Sequence, residues 1–293
     1  MNTSLEPVEG TETINFSSEK KEPVFFCRNI EKCYEGEPVV SGINIDLYTG
    51  ELISLVGPSG VGKTTLFNVL AGVDKPDSGQ IFFNGKDISG ISGKVCYMMQ
   101  KDLLLEYRTV LDNMILPLLI SGTSKKKGRE YAASFFKDFG LAGYEKKYPR
   151  ELSGGMRQRA ALLRTFLQSS EFSGLEETIQ KTTEQPVILL DEPFSALDAL
   201  TRTTMQDWFQ NIIKPAEHSP LGKHQLSAVF ITHDVEEAIF LSDRVYVLNG
   251  IPGKLRAVFE VSEPRPRDRD FSLKPDFLLL KRRILDEIFS VKG

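Results

Sequence analysis

Lys63 and Thr64 close the run Gly57-Pro58-Ser59-Gly60-Val61-Gly62-Lys63-Thr64, which fits the spacing G-x-x-x-x-G-K-[ST]. Glycine tolerates positive φ and carries no Cβ, so a backbone rich in it can turn its N–H groups onto phosphate oxygens. Lys63 has the reach for β- and γ-phosphates, and the Thr64 hydroxyl suits Mg²⁺. Thr65 leads into Leu66-Phe67-Asn68-Val69-Leu70, which reads as a helix whose N-terminus adds partial positive charge at the same point. A tight turn with a surface lysine is the plain alternative. The buried-strand run Leu52-Ile53-Ser54-Leu55-Val56 before the loop, and the helix after it, argue instead for binding of a nucleoside triphosphate.

Acidic groups suited to the same ligand come later. Pro186-Val187-Ile188-Leu189-Leu190 is an apolar run fit for a strand buried on both faces of a parallel sheet. It delivers Asp191 and Glu192 at its C-terminal end, the edge where ligands of open α/β sheets bind. Asp191 suits a Mg²⁺ ligand and Glu192 a general base for an attacking water. Capping the next helix is the plainer use for such a pair, and Pro193 weakens it. Ala228-Val229-Phe230-Ile231-Thr232 reads as another buried strand and brings His233 to the same edge. That position favours a γ-phosphate contact over the structural role of most lone histidines. Leu152-Ser153-Gly154-Gly155-Met156-Arg157-Gln158-Arg159 sets paired glycines after a serine at a helix start. Such a turn can hold an anion, whereas a simple cap needs only Ser153. His218 and His224 lie in a polar stretch and receive no role.

The surrounding pattern supplies the elements that must carry these groups. Val24-Phe25-Phe26-Cys27 and Gly42-Ile43-Asn44-Ile45-Asp46-Leu47 read as strands, with Tyr34 in the loop between them. An aromatic there can stack on adenine, although Tyr34 taken alone reads as packing. A short hairpin follows at residues 80–86, then the strand Lys94-Val95-Cys96-Tyr97-Met98-Met99, which ends at Gln100. Residues 103–168 carry helical periodicity punctuated by Gly122, Gly128, Gly140 and Gly143, the pattern of an inserted helical subdomain. Within it, Ser124-Lys125-Lys126-Lys127-Gly128-Arg129 reads as a solvated helix start, with a membrane-surface contact as the lesser reading. Residues 1–22 are polar and acidic, the composition of a disordered tail. Residues 169–185 and 215–225 read as polar surface insertions. Residues 263–293 read as a C-terminal helical extension with Leu278, Ile284 and Ile288 at helical spacing.

Composition narrows the function classes. With 293 residues, 41% hydrophobic and 26% charged, the chain can bury a sizeable core. Its apolar runs fall short of the ~18 residues of a membrane span, and its N-terminus lacks a signal-peptide pattern. Cys27, Cys33 and Cys96 have neither metal spacing nor an even count for disulfides, so reduced thiols are expected. A formal charge of −4 without a strong basic block argues against nucleic acid as the main partner. The expectation is a soluble cytosolic protein able to dock on a membrane component.

Taken together, these motifs resemble the ATP-binding subunits of ABC transporters. The match runs over residues 24–262: Walker A at 57–64, the Q-loop at Gln100, the signature at 152–156, Walker B at 187–192, the D-loop at 195–198 and the H-loop at His233. The resemblance implies an α/β fold, with a P-loop NTPase (RecA-like) core, an antiparallel β subdomain and an inserted α-helical subdomain. It implies ATP and Mg²⁺ as ligands, held by residues 57–65, with Thr64, Gln100 and Asp191 at the metal. Glu192, His233 and Gln100 would carry the catalysis, and Tyr34 would stack on adenine. Two copies would sandwich ATP, so that Ser153, Gly154, Gly155 and Asp198 complete the site of the other copy. Gln100 would relay the state of the site to the helical subdomain, which grips an integral membrane permease at the cytoplasmic face of the cell membrane. A solute-binding protein would be an indirect partner.

Finer features resemble importers of the nitrate/sulfonate/taurine type, a group similar to subunits for thiamine-precursor pyrimidines. They are Leu197-Asp198-Ala199-Leu200-Thr201-Arg202, Arg108-Thr109-Val110-Leu111-Asp112-Asn113 and Pro264-Arg265-Pro266-Arg267. Glu106-Tyr107 departs from the Pro-Trp usual in that group, in the stretch that faces the permease. A soluble ABC ATPase acting on DNA or ribosomes is the main competing reading, and it lacks the expected tandem units or basic extensions. An exporter subunit is the other, and the Leu197-Asp198-Ala199-Leu200-Thr201-Arg202 and Pro264-Arg265-Pro266-Arg267 stretches argue against it.

Overall fold

Val187–Asp191 and Ser227–Ile231 are buried at all five of their positions, and Leu52–Val56 likewise. Strands hidden on both faces need layers above and below, and the computed structural model supplies them. It describes residues 22–168, 186–195, 197–213 and 226–290; the acidic tail to residue 21 and the insertions expected at 169–185 and 215–225 lie outside these. In chain order the elements are β1 (Phe25–Tyr34), β2 (Glu37–Leu47), β3 (Leu52–Val56), α1 (Lys63–Leu70), β4 (Ser78–Phe83), β5 (Lys86–Asp87) and β6 (Cys96–Met98). Next come α2 (Val110–Met114), α3 (Leu116–Ile120), α4 (Lys125–Ser134), α5 (Gly154–Gln168), β7 (Val187–Asp191), α6 (Ala199–Ile212) and β8 (Ser227–Ile231). The chain closes with α7 (Val235–Leu241), β9 (Arg244–Asn249), β10 (Lys254–Glu260) and α8 (Pro275–Phe289).

A six-stranded sheet runs β10-β9-β3-β8-β7-β6, parallel except for the edge pair β10–β9. A four-stranded antiparallel sheet, β2-β1-β4-β5, stands over it. Helix α1 fills the space between the sheets with Leu66, Phe67 and Leu70, against Phe25, Ile43 and Ile45 from one sheet and Leu55, Leu189 and Ile231 from the other. The opposite face of the large sheet, through Val56, Ile188, Leu190 and Phe230, packs on Phe166, Phe209 and Ile239 from the helices beneath and on Phe194 from the turn after β7. The period-two alternation of β7 divides it between these two cores: Val187 and Leu189 enter one, Ile188 and Leu190 the other. Among the described residues no helix is long and apolar enough to cross a membrane.

Several sequence expectations are corrected. Tyr34 is the last residue of β1 rather than part of a loop, because β1 and β2 form one long hairpin with Tyr34 paired to Glu37. The strand expected at 94–99 shortens to Cys96–Met98, where pairing with β7 ends. Helix α5 is not confined to the helical subdomain; it packs against α2 and α3 and also against β6. In α8 the buried residues are Phe277 and Ile284, and Leu278 faces solvent.

The stretches singled out by the importer-like resemblance have local structural jobs. Thr109 caps α2, accepting from Asp112 N at 3.1 Å. Asn113, fully buried, accepts from Leu105 N at 2.7 Å and donates to the Leu105 and Thr109 carbonyls at 3.1 and 3.0 Å, which fixes the loop carrying Glu106 and Tyr107. Arg267 Nη1 donates to the carbonyls of Ile239, Phe240 and Ser242 at 3.0, 3.1 and 2.9 Å. The last carbonyls of a helix have no partner within it, so Arg267 caps α7 from a distance. Arg267→Met is expected to lower the unfolding free energy by about 3 kcal/mol, read from the urea midpoint, because it strands buried carbonyls.

Candidate functional site

The phosphate loop is wedged between neighbours that admit no side chain at two of its glycines. A Cβ on Gly57 would lie 2.1 Å from the Leu248 carbonyl oxygen, and one on Gly62 2.7 Å from Val40 Cγ1. Gly62 adopts φ 100° as the residue that opens α1, a conformation open to glycine at little cost. Gly60, at φ 80°, has nothing within 4 Å of where its Cβ would be, so the outer rim of the loop lies open to a ligand. Ser59 and Thr64 are exposed, Thr65 and Pro58 are half-buried and Val61 is buried. Lys63, only 7% exposed, folds its ammonium back to donate to the Gly57 and Pro58 carbonyls, each at 2.9 Å. Burial lowers its pKa, against the pull of the Glu192 and Asp191 carboxylates.

Those carboxylates stand at the C-terminal end of β7, as the apolar run predicts. Asp191 is 2% exposed and bonds the Thr64 hydroxyl and, at 3.4 Å, the Tyr97 hydroxyl. Burial raises its pKa, and these two hydrogen bonds and Lys63 oppose the rise. Glu192 takes φ 48°, a left-handed conformation that costs a non-glycine residue roughly 1–2 kcal/mol. Its N–H is bonded to the Ile231 carbonyl at 3.0 Å, and its carbonyl accepts from Ser195 N at 3.2 Å, so both flanks are pinned. The side chain lies between two of the other expected residues: Gln100 Nε2 donates to Oε2 at 2.9 Å, and His233 Nδ1 lies 3.6 Å from Oε1.

The structure therefore joins Lys63, Thr64, Gln100, Asp191, Glu192 and His233 in one polar cluster. It sets the signature turn elsewhere. The Ser153 hydroxyl accepts from Met156 N at 3.3 Å, Gly154 packs on Leu197, and a Cβ on Gly155 would lie 3.0 Å from Thr201 Cγ2. Asp198 caps α6 by accepting from Thr201 N at 3.1 Å; the Thr201 hydroxyl and this N–H hold its carboxyl below the usual carboxylate range. The signature glycines thus lie against Leu197 and Thr201, on either side of Asp198. Tyr34 donates its hydroxyl to Asp74 at 2.7 Å, a bond that pushes its pKa up to about 12, and Lys32 Nζ lies 5.3 Å from its ring centre.

Sequence reasoning missed Tyr97, which links Asp191 to Asn68 of α1. A parity signal points to it. Tyr97 alternates with buried Cys96 and Met98 in β6, so its ring points towards α1, where it meets Phe67 edge-on at 6.1 Å. Hard oxygen donors suit Mg²⁺, and a hydroxyl and a carboxylate already bonded to each other, Thr64 and Asp191, meet that requirement.

Comparison with known proteins agrees with this geometry. A family profile described as ABC transporter matches residues 40–180. An uncharacterized ABC transporter ATP-binding protein of Methanocaldococcus jannaschii is 36% identical over 262 residues, covering 88% of each chain. A formylaminopyrimidine import ATP-binding protein of Halalkalibacterium halodurans is 38% identical, covering 83% of this chain and 90% of that one. An aliphatic sulfonates import ATP-binding protein of Rhodococcus jostii is 40% identical, covering 80% and 82%. Among solved structures, a dimeric ATP-binding cassette in a post-hydrolysis state with ADP and Pi superposes with a TM-score of 0.64 at 23% identity, over 82% of this chain and all of that one. With the phosphate loop, the paired acids and the histidine gathered on one sheet edge, and with relatives of this identity along most of its length, the chain belongs to the ABC transporter family, among its ATP-binding and ATP-hydrolysing subunits.

Proposed function

We propose that this chain energises uptake of a small solute, of the sulfonate, nitrate, taurine or thiamine-precursor pyrimidine kind, through a membrane-spanning permease. It does so from the cytoplasmic face of the membrane, as one of two copies closed around ATP. The observation that carries the reading is the position of Gln100. Its amide bonds Glu192, while its neighbours Met99 and Lys101 line a cleft of about 590 Å³ between the large sheet and the helical subdomain. Apolar side chains crowd that cleft and its rim: Val73, Met99, Leu103 and Ile120 are all exposed, Ile120 at 87%. An exposed apolar cleft beside a polar site marks a docking surface, here for a permease segment that senses the nucleotide through Gln100.

In the chemistry that follows from this reading, the loop N–H groups and Lys63 hold the β- and γ-phosphates. Glu192 takes a proton from the attacking water, with Gln100 and His233 orienting its two oxygens. His233 also faces the γ-phosphate. Thr64 and Asp191, with Gln100 beside them, would hold Mg²⁺, which when bound screens the phosphate charge. Ser153, Gly154, Gly155 and Asp198 contact the nucleotide of the other copy.

The test is co-purification of the tagged chain from its native membranes in mild detergent. A polytopic membrane protein is expected with the parent chain, and Ile120→Asp is expected to reduce its recovery at least about tenfold, since a buried unpaired carboxylate costs several kcal/mol. Recovery of ribosomes or DNA without a membrane protein would overturn the transport reading.

A further inference from the structure

Helix α7 starts two residues after His233 and is seven residues long. The chain beyond residue 263 grips it at three points. Lys281 of α8 pairs with Glu236 in its first turn. The Arg269 guanidinium lies 4.1 Å from the centre of the Phe240 ring. Arg267 caps its last carbonyls, as described above. A helix this short has little stability of its own, so its position, and that of the residue leading into it, depends on what holds it.

Inside this grip runs a line of hydrogen bonds that ends on both sides of His233. Arg269 Nη1 donates to Gln206 Oε1 at 3.1 Å, and Gln206 Nε2 donates to Glu237 Oε1 at 2.8 Å. Glu237 Oε2 accepts from the Thr232 hydroxyl, and the same hydroxyl oxygen accepts from Asp234 N at 3.0 Å. Thr232 and Asp234 are the two chain neighbours of His233. Glu237 is only 5% exposed, and burial raises its pKa. A buried acid is a poor way to gain stability, because an apolar residue of similar size serves at least as well. A cavity of about 210 Å³, lined by Arg202, Gln206, Asp234, Glu237 and Arg269 among others, runs along the line and leaves the joint room to shift.

We infer that Glu237 is a positioning residue for His233, and that the C-terminal segment sets it through Arg269 and Lys281. The segment after residue 263 thereby controls the rate of hydrolysis without touching the nucleotide. This rests on the reading of His233 as a γ-phosphate contact.

The test measures steady-state ATP hydrolysis by the full-length chain in two backgrounds. Glu237→Gln keeps the size of the side chain but replaces one acceptor by a donor. The double variant Arg269→Ala with Lys281→Ala loosens the grip from side chains that are 39% and 33% exposed, so it folds even where a core change does not. Each is expected to lower kcat about tenfold with KM for ATP within about twofold, as loss of an interaction felt only during reaction. His233→Ala alone is expected to lower kcat about a hundredfold. In that background either change should cost less than about twofold, because residues acting through one another are not additive. An undiminished tenfold loss in the His233→Ala background, or no loss in the parent, would overturn this inference alone. Full activity of His233→Ala itself would overturn the reading of His233, and this inference with it.

Discussion

Glu192→Gln is expected to reduce ATP hydrolysis about a thousandfold while ATP affinity stays within a few-fold of the parent, the size of effect seen when a positioned general base is lost. The amide has the shape of the carboxylate and can still accept from Gln100, whose Nε2 lies 2.9 Å from Oε2. What it cannot do is take a proton. Lys63 is held by the Gly57 and Pro58 carbonyls rather than by Glu192, so the substitution leaves its ammonium in place beside the phosphate loop. ATP should therefore bind, persist and hold two copies together. Phosphate release and size-exclusion chromatography with ATP measure the two halves of this result. Retention of more than about a tenth of the parent rate would remove Glu192 from the general-base role.

Lys63→Ala acts earlier, on binding. A hydrogen bond to a charged group contributes roughly 1.5–3 kcal/mol, so ATP affinity should fall about ten- to a hundredfold by calorimetric titration. Lys63→Arg should be no milder: the side chain sits 7% exposed under its own loop, and a planar guanidinium cannot repeat the two bonds made by a compact ammonium. The Gly57 and Pro58 carbonyls lose a donor in the alanine variant, so its melting curve belongs beside the titration. Unchanged affinity in a folded Lys63→Ala chain would contradict the assignment.

Much of this site is legible in the order of residues alone, and the reason is local. The phosphate loop is a contiguous run whose backbone conformation follows from its glycines, and the bonds that close it span few residues: Lys63 to Gly57 and Pro58, and Leu66 N to the Gly62 carbonyl. Likewise β7 and β8 announce themselves as doubly buried strands, and parallel pairing then forces Asp191 and His233 onto one sheet edge. The helix at 125–134 begins where Ser124 offers a cap to Lys127 N. Less legible is anything set by a distant partner. Tyr34 reads as a loop residue until the register with β2 places it at the end of a strand. Leu278 and Phe277 are equally apolar in sequence, and only the packing of α8 on α7 and β9 decides which of them is buried. Pro264-Arg265-Pro266-Arg267 looks like a family mark, and only the fold turns Arg267 into the cap of α7.

By itself, then, the sequence determined the chemistry available to this chain: a phosphate loop, two acids at a strand end, a histidine at another and a signature turn. Short-range sterics and hydrophobic periodicity suffice for that, because each motif is complete within a few residues. Tertiary structure alone decided which groups meet. Gln100 and Glu192 are 92 residues apart in the chain and 2.9 Å apart in space, and Thr232 is joined to Arg269 of the C-terminal segment through Glu237 and Gln206 of two other helices. Contacts of that range exist only once both cores have closed, since nothing local to either partner orients it towards the other.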